Sequence, residues 1–146
     1  MTTTWTAVFE ADAYRTEWRE FPDELTPPEG RRLLDSVARA LRPHGWDFGE
    51  FFQEDYGWHA EALASDGTKS TGVSLVMAPS EGDESSADHG WRVVIGANMG
   101  LFAGTKRRRH ALLLKLANDV TNVIGVISGR DVNWQSGPLR DASPLR

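Results

Sequence analysis

The hydrophobic positions along the chain change period several times, and each change marks an element. Trp5, Ala7 and Phe9 alternate with Thr6, Val8 and Glu10, the period of two expected of a strand with one buried face. Tyr14, Trp18 and Phe21 recur at spacings of four and three, so this stretch is compatible with helix or with strand. Three prolines among acidic residues interrupt the chain over 22–28. Within them, Thr26-Pro27-Pro28-Glu29 joins a capping threonine, a proline at the first helical position and a glutamate three residues after the cap, which predicts a helix start. Leu33, Leu34, Val37, Ala38 and Leu41 then make one stripe, and Arg39 and Arg42, followed by Pro43 and Gly45, supply a basic end and a stop.

Beyond the segment 46–52, a strand is predicted from Gly57 to Ala64, a turn at Ser65-Asp66-Gly67-Thr68 and a return strand from Thr71 to Ala78, with Val73, Leu75 and Met77 on one face. An acidic, serine-rich link over 79–90 reads as a long solvated loop. It leads into the strand Trp91-Arg92-Val93-Val94-Ile95-Gly96-Ala97. Gly100 and Gly104 bracket a turn, after which Leu112, Leu113, Leu116, Ala117, Val120, Val123, Ile124 and Ile127 follow the spacing of a long amphipathic helix. Gly125 and Gly129 should loosen or end it, and Val132-Asn133-Trp134-Gln135 looks like a short closing strand. Strands joined by short turns make this an α+β chain, with an antiparallel sheet of four to six strands and two helices packed on one face. Residues 136–146 are polar, hold two prolines and show no period, so the expected organisation is one domain over 1–135 and a mobile tail over 136–146.

Composition sharpens this picture mainly by exclusion. At 146 residues with 40% apolar and 10% aromatic residues, the chain can build one core layer between a sheet and its helices, and two independent domains are not expected. The 16 basic against 21 acidic residues leave a net charge of -5, which disfavours binding to nucleic acid. The absence of cysteine removes disulfides, thiol nucleophiles and thiolate metal sites. The N-terminus lacks the basic segment and apolar run of a signal peptide, and the longest apolar pattern is broken by Lys115, Asn118 and Asp119, so the expectation is a cytoplasmic protein with no membrane span. A phosphate loop, a nucleophile elbow and a His-Glu-x2-His pair are all missing, and Gly96-Ala97-Asn98-Met99-Gly100 does not match the dinucleotide fingerprint. No catalytic residue, metal or cofactor is assigned, and enzymatic activity becomes the less favoured expectation.

Three places could carry chemistry. Glu50 to Trp58 concentrates the acids Glu50, Glu54 and Asp55 with Phe51, Phe52, Tyr56 and Trp58 around Gly57. Tyrosine and tryptophan beside acids suit a hot spot toward which a basic partner is steered; the competing reading makes Phe51 and Trp58 core, Gly57 a bulge and the acids solvated edge residues. His59 and Glu61 share a strand face, and with Arg92 they could line a small-molecule or enzymatic pocket between sheet and helices. Lys106, Arg107, Arg108 and Arg109 set four cations at a helix start, where the dipole opposes them. They are either a solvated face or a candidate anion site.

Glu54-Asp55-Tyr56-Gly57-Trp58, followed by a hairpin, a Trp91 strand, an amphipathic helix and a Trp134 strand, resembles small bacterial proteins of the toxin-immunity kind. The resemblance implies a non-catalytic acidic module that neutralises a cognate toxin, with Glu50, Glu54 and Asp55 steering a partner of basic surface and Tyr56 and Trp58 as anchors. A homodimeric structural or phage-type protein, pairing edge strands or docking its tail, is a further alternative.

Overall fold

The computed structural model describes residues 2–11, 30–54, 56–65, 70–79, 90–98 and 106–139. In chain order they form β1 (Thr2–Glu10), α1 (Arg31–Leu41) with a following 3-10 turn (Arg42–His44), β2 (Phe51–Gln53), β3 (Trp58–Ser65), β4 (Ser70–Pro79), β5 (Gly90–Asn98), α2 (Lys106–Ser128) and β6 (Asn133–Trp134). The sheet runs β2-β3-β4-β5-β1-β6, and every neighbouring pair is antiparallel. This is the expected α+β class. The Tyr14 to Phe21 segment, the turn over 66–69 and the acidic link over 81–89 lie outside the described residues.

Register decides which side chains become core. Ala60, Leu75, Ile95 and Trp5 face one another across four strands, as do Met77, Val93 and Ala7 one step along, and all seven are buried. Against them α1 sets Leu33, Leu34, Val37 and Leu41, while α2 sets Leu113, Leu116, Val120 and Ile124. Fully burying one such side chain contributes about 1.5–3 kcal/mol, so this shared layer dominates the stability of the fold. By length and composition alone α2 could cross a membrane over Arg107–Ser128; here its apolar stripe packs on the sheet.

Packing sets one end of α1 and local chemistry the other. Arg31 is the first residue of α1, and the residue before it is Gly30 at φ 126, with no side-chain cap. The capping pattern predicts a helix start at Thr26-Pro27; those residues lie outside the described ones, and the described helix opens four residues after Pro27. Packing accounts for the entry at Gly30. A Cβ there would come within 3.1 Å of the Met77 carbonyl and 3.4 Å of the Trp91 ring, so the chain enters α1 through a glycine pressed on the sheet. At the other end Gly45, at φ 95, sends its N–H to the Arg42 carbonyl at 3.0 Å, the left-handed stop its position suggested.

Two polar clasps fix the helices. Asp119 on α2 accepts from Trp46 Nε1 at 2.8 Å and from Lys115 Nζ at 3.0 Å, and that ammonium also reaches the His44 carbonyl at 3.0 Å. The loop after α1 is thereby tied to α2 through satisfied donors. Beside β6, Trp134 Nε1 donates to Thr121 Oγ1 at 2.8 Å. The first residues of the expected tail continue this attachment: Ser136 Oγ accepts the Thr6 N–H at 2.9 Å, and Leu139 packs partly buried on the core. Residues 140–146 lie outside the described ones.

Candidate functional site

The Glu54 to Trp58 stretch is the corner of a hairpin. Phe51, Phe52 and Gln53 pair with Ala60, His59 and Trp58, and the Glu54 N–H reaches the Gly57 carbonyl at 2.8 Å. Tyr56 lies in the short loop between them, and Asp55 lies outside the described residues. The sequence pattern makes this stretch the entrance to a hairpin formed by β3 and β4. It also closes an earlier hairpin, in which β2 is an edge strand of three residues. Gly57 is no bulge. A Cβ there would overlap the Met77 carbonyl oxygen and lie 2.9 Å from Ala78 Cβ, so glycine is what allows the corner to rest on β4.

Strand alternation then divides the hairpin between two faces. Toward the helices point Phe51 and Trp58, both half-buried against the core. The guanidinium of Arg31, the first residue of α1, lies 5.6 Å from the Phe51 ring centre and 5.7 Å from that of Trp58. Glu50 is exposed and helps line a groove of about 700 Å³ between the approach to β2 and the outer face of α1.

Toward the opposite face point Phe52, Glu54, His59 and Glu61. Phe52 is 45% exposed and Tyr56, at the tip, 55%. The Phe52 ring leans on His59 with centres 6.0 Å apart. His59 stands between two carboxylates, its Nδ1 3.6 Å from Glu54 Oε1 and its Nε2 4.0 Å from Glu61 Oε2. Of the large apolar side chains exposed among the described residues, only Val126 lies elsewhere, on α2.

Of the partner-binding residues expected from sequence, Glu54 and Tyr56 therefore stay together at the corner. Glu50 and Trp58 fall on the helix side, and Trp58 is largely structural. Phe52 and Arg31 join the site from outside the expected set. Phe52 is within reach of sequence reasoning, because adjacent aromatics on a strand must point to opposite faces and Phe51-Phe52 leaves one of them outside. Arg31 lies twenty residues from Phe51 and carries no such signal.

The other candidates separate as well. His59 and Glu61 do adjoin, but they lie on the face away from the helices, and Arg92 sits two strands over, opposite Ala78 and Val8. The three residues do not line a pocket between sheet and helices. Lys106 to Arg109 do open α2; Arg107 is exposed, whereas Arg108 and Arg109 are half-buried and each engages a partner. His110 meets the Trp5 ring edge-on with centres 5.4 Å apart, so this helix start rests on β1. Among the described residues no group of three side chains is arranged to hold a metal ion.

Fold and site thus define a two-layer α+β domain with an exposed aromatic and acidic hairpin at one sheet edge. No protein-family model matches the chain, and no curated protein or solved structure shows significant similarity to it.

Proposed function

We propose that the chain is a non-catalytic protein-binding module that takes its partner on the open face and tip of the β2–β3 hairpin. The observation that carries this reading is the exposure of Phe52 and Tyr56 within five residues at a sheet edge, where the backbone already holds them in place. Rigid aromatics surrounded by polar groups are the usual energetic centre of an interface. Glu54 and Glu61 on the same face add negative charge, which favours a partner of basic surface and mainly accelerates its association. Neutralisation of a toxin, the narrower form of the proposal, requires no more than such a surface covering an active or essential site, and it draws on the resemblance in the Glu54 to Trp58 motif.

The test is co-purification of the tagged chain with the product of its neighbouring gene, followed by kinetics of the recovered complex. Replacing Phe52 and Tyr56 together by serine should weaken it at least about 100-fold, through faster dissociation. Glu54→Gln with Glu61→Gln should slow association roughly 3- to 10-fold and flatten its salt dependence. A complex indifferent to the aromatic pair would defeat the proposal; one indifferent only to the acids would remove the basic-surface part. The toxin reading further requires that the same gene product arrest growth when expressed alone, and that the wild-type chain relieve the arrest while the double serine variant does not.

A further inference from the structure

We propose that the groove between α1 and the outer edge of β2, beyond which no strand lies among the described residues, accepts an extended peptide segment whose carboxylate pairs with Arg31. This deepens the protein-binding reading only in requiring a polypeptide partner. It uses the helix side of the hairpin, not the Phe52 and Tyr56 side.

Backbone geometry supplies the first argument. The Glu54 N–H to Gly57 carbonyl bond marks that pair as hydrogen-bonded, and antiparallel ladders alternate, so Phe52 and His59 form the next such pair. The N–H and C=O groups of Phe51 and Gln53 therefore point away from β3. Among the described residues no strand lies beyond β2. A free edge of this kind is completed by an added strand, which phosphate, nucleotide or lipid cannot provide.

The groove matches that strand in length. It is bounded on one side by Phe48, Gly49, Glu50 and Phe51 and on the other by Arg31, Asp35 and Arg39 of α1, continued by Arg42 of the 3-10 turn. An 11-residue helix spans about 16 Å, which an extended chain covers in about five residues.

Charge then selects the segment. Asp35 is engaged by Arg39 at 3.1 Å, and Asp47 lies 3.8 Å from Arg42. Arg31 has no carboxylate within ion-pair distance among the described residues; it rests on the Phe51 and Trp58 rings. A guanidinium placed beside aromatic rings with no carboxylate partner can offer its N–H fork to a bidentate carboxylate, a geometry that lysine cannot reproduce. The fitting ligand is a β-prone segment that places one glutamate or aspartate at the N-terminal end of α1.

The experiment is a titration of the isotopically labelled full chain with an alternating threonine–valine octapeptide bearing one central glutamate, and with the same peptide bearing lysine. Saturable shifts at the Phe51 and Gln53 amides and at Arg31 Nε are expected, with the glutamate peptide binding at least about 10-fold tighter. Arg31→Gln should abolish that preference, and Arg31→Lys should restore less than half of it on a logarithmic scale. Absence of shifts, equal binding of the lysine peptide, or an unchanged preference in Arg31→Gln would each overturn the proposal. The Phe52 and Tyr56 serine variant separates the two readings: it should bind the peptide as wild type does even where it has lost the partner protein. Loss of both would show that the peptide uses the open face, and the groove assignment would fall while the protein-binding reading stood.

Discussion

The two edges of the sheet are finished in opposite ways. At one edge the nine-residue β1 is covered by only two residues of β6, and residues 135–137 extend the cover to Thr6 and Trp5. Gln135 N–H donates to the Thr6 carbonyl at 2.7 Å, Ser136 Oγ takes the Thr6 N–H, and Gly137 lies so flat on Trp5 that a Cβ would approach its ring to 2.6 Å. At the other edge β2 is three residues long and is followed by no further strand among the described residues, with Phe52 and Tyr56 standing out beside it. An unprotected edge invites pairing with another chain. One edge is covered by the chain that follows α2, and the other holds aromatics where a partner can reach them.

Breaking the sealed edge should have the largest effect. Trp134 is buried, and its indole N–H is satisfied by Thr121. Trp134→Ala removes the ring, leaves a cavity between β6 and α2 and takes away the indole donor, while the Thr121 hydroxyl keeps its bond to the Ala117 carbonyl; the cost is about 3–5 kcal/mol. Thermal denaturation should show a fall on the order of 10 °C. Hydrogen exchange should show the Thr6 amide losing protection first. If Thr6 stayed protected while stability fell, the seal would lie in Ser136 and not in the strand.

The open edge depends on one glycine for its position. Gly57→Ala drives a Cβ into the Met77 carbonyl and the Ala78 side chain, and such overpacking costs about 1–3 kcal/mol. The damage should be seen as shifted resonances in β2 and the corner, with the Thr6 region unchanged. A uniform perturbation reaching β6 would show that the two edges are not independent.

How much of this is legible in the sequence varies with the range of the interaction. Val73, Leu75 and Met77 mark their strand by alternation, and the three-four spacing from Leu112 to Ile127 marks α2, because both patterns are local consequences of one buried face. The strand Phe51–Gln53 has no such mark: three residues with two adjacent aromatics offer no period to read. The pairing of β1 with β5 joins residues some ninety positions apart, and nothing local encodes it. The described start of α1 at Arg31 answers a tertiary demand, the approach of Gly30 to Met77 and Trp91, which no local pattern announces. The candidate site is half legible for the same reason. Its aromatics and acids stand out by composition, but which of them face the helices depends on the register between β2 and β3, and the neighbour that matters, Arg31, comes from another element.

The smallest effect on stability should come from the residues with the largest proposed role. Tyr56→Ser alters a side chain that is more than half exposed, and Phe52→Ser removes a ring that leans on His59. Surface changes of this kind usually stay within about 0.5 kcal/mol, and the serine at position 52 should approach the upper end because Phe52 pairs across the strand with His59. Denaturant unfolding of each variant measures this directly. A loss well above about 1 kcal/mol would mean that the aromatics are held for the fold, and the contrast between a sealed edge and an available one would reduce to two ways of finishing the same sheet. A small loss together with an unchanged unfolding slope leaves Phe52 and Tyr56 as side chains that the fold supports without needing, which is what an interface requires of them.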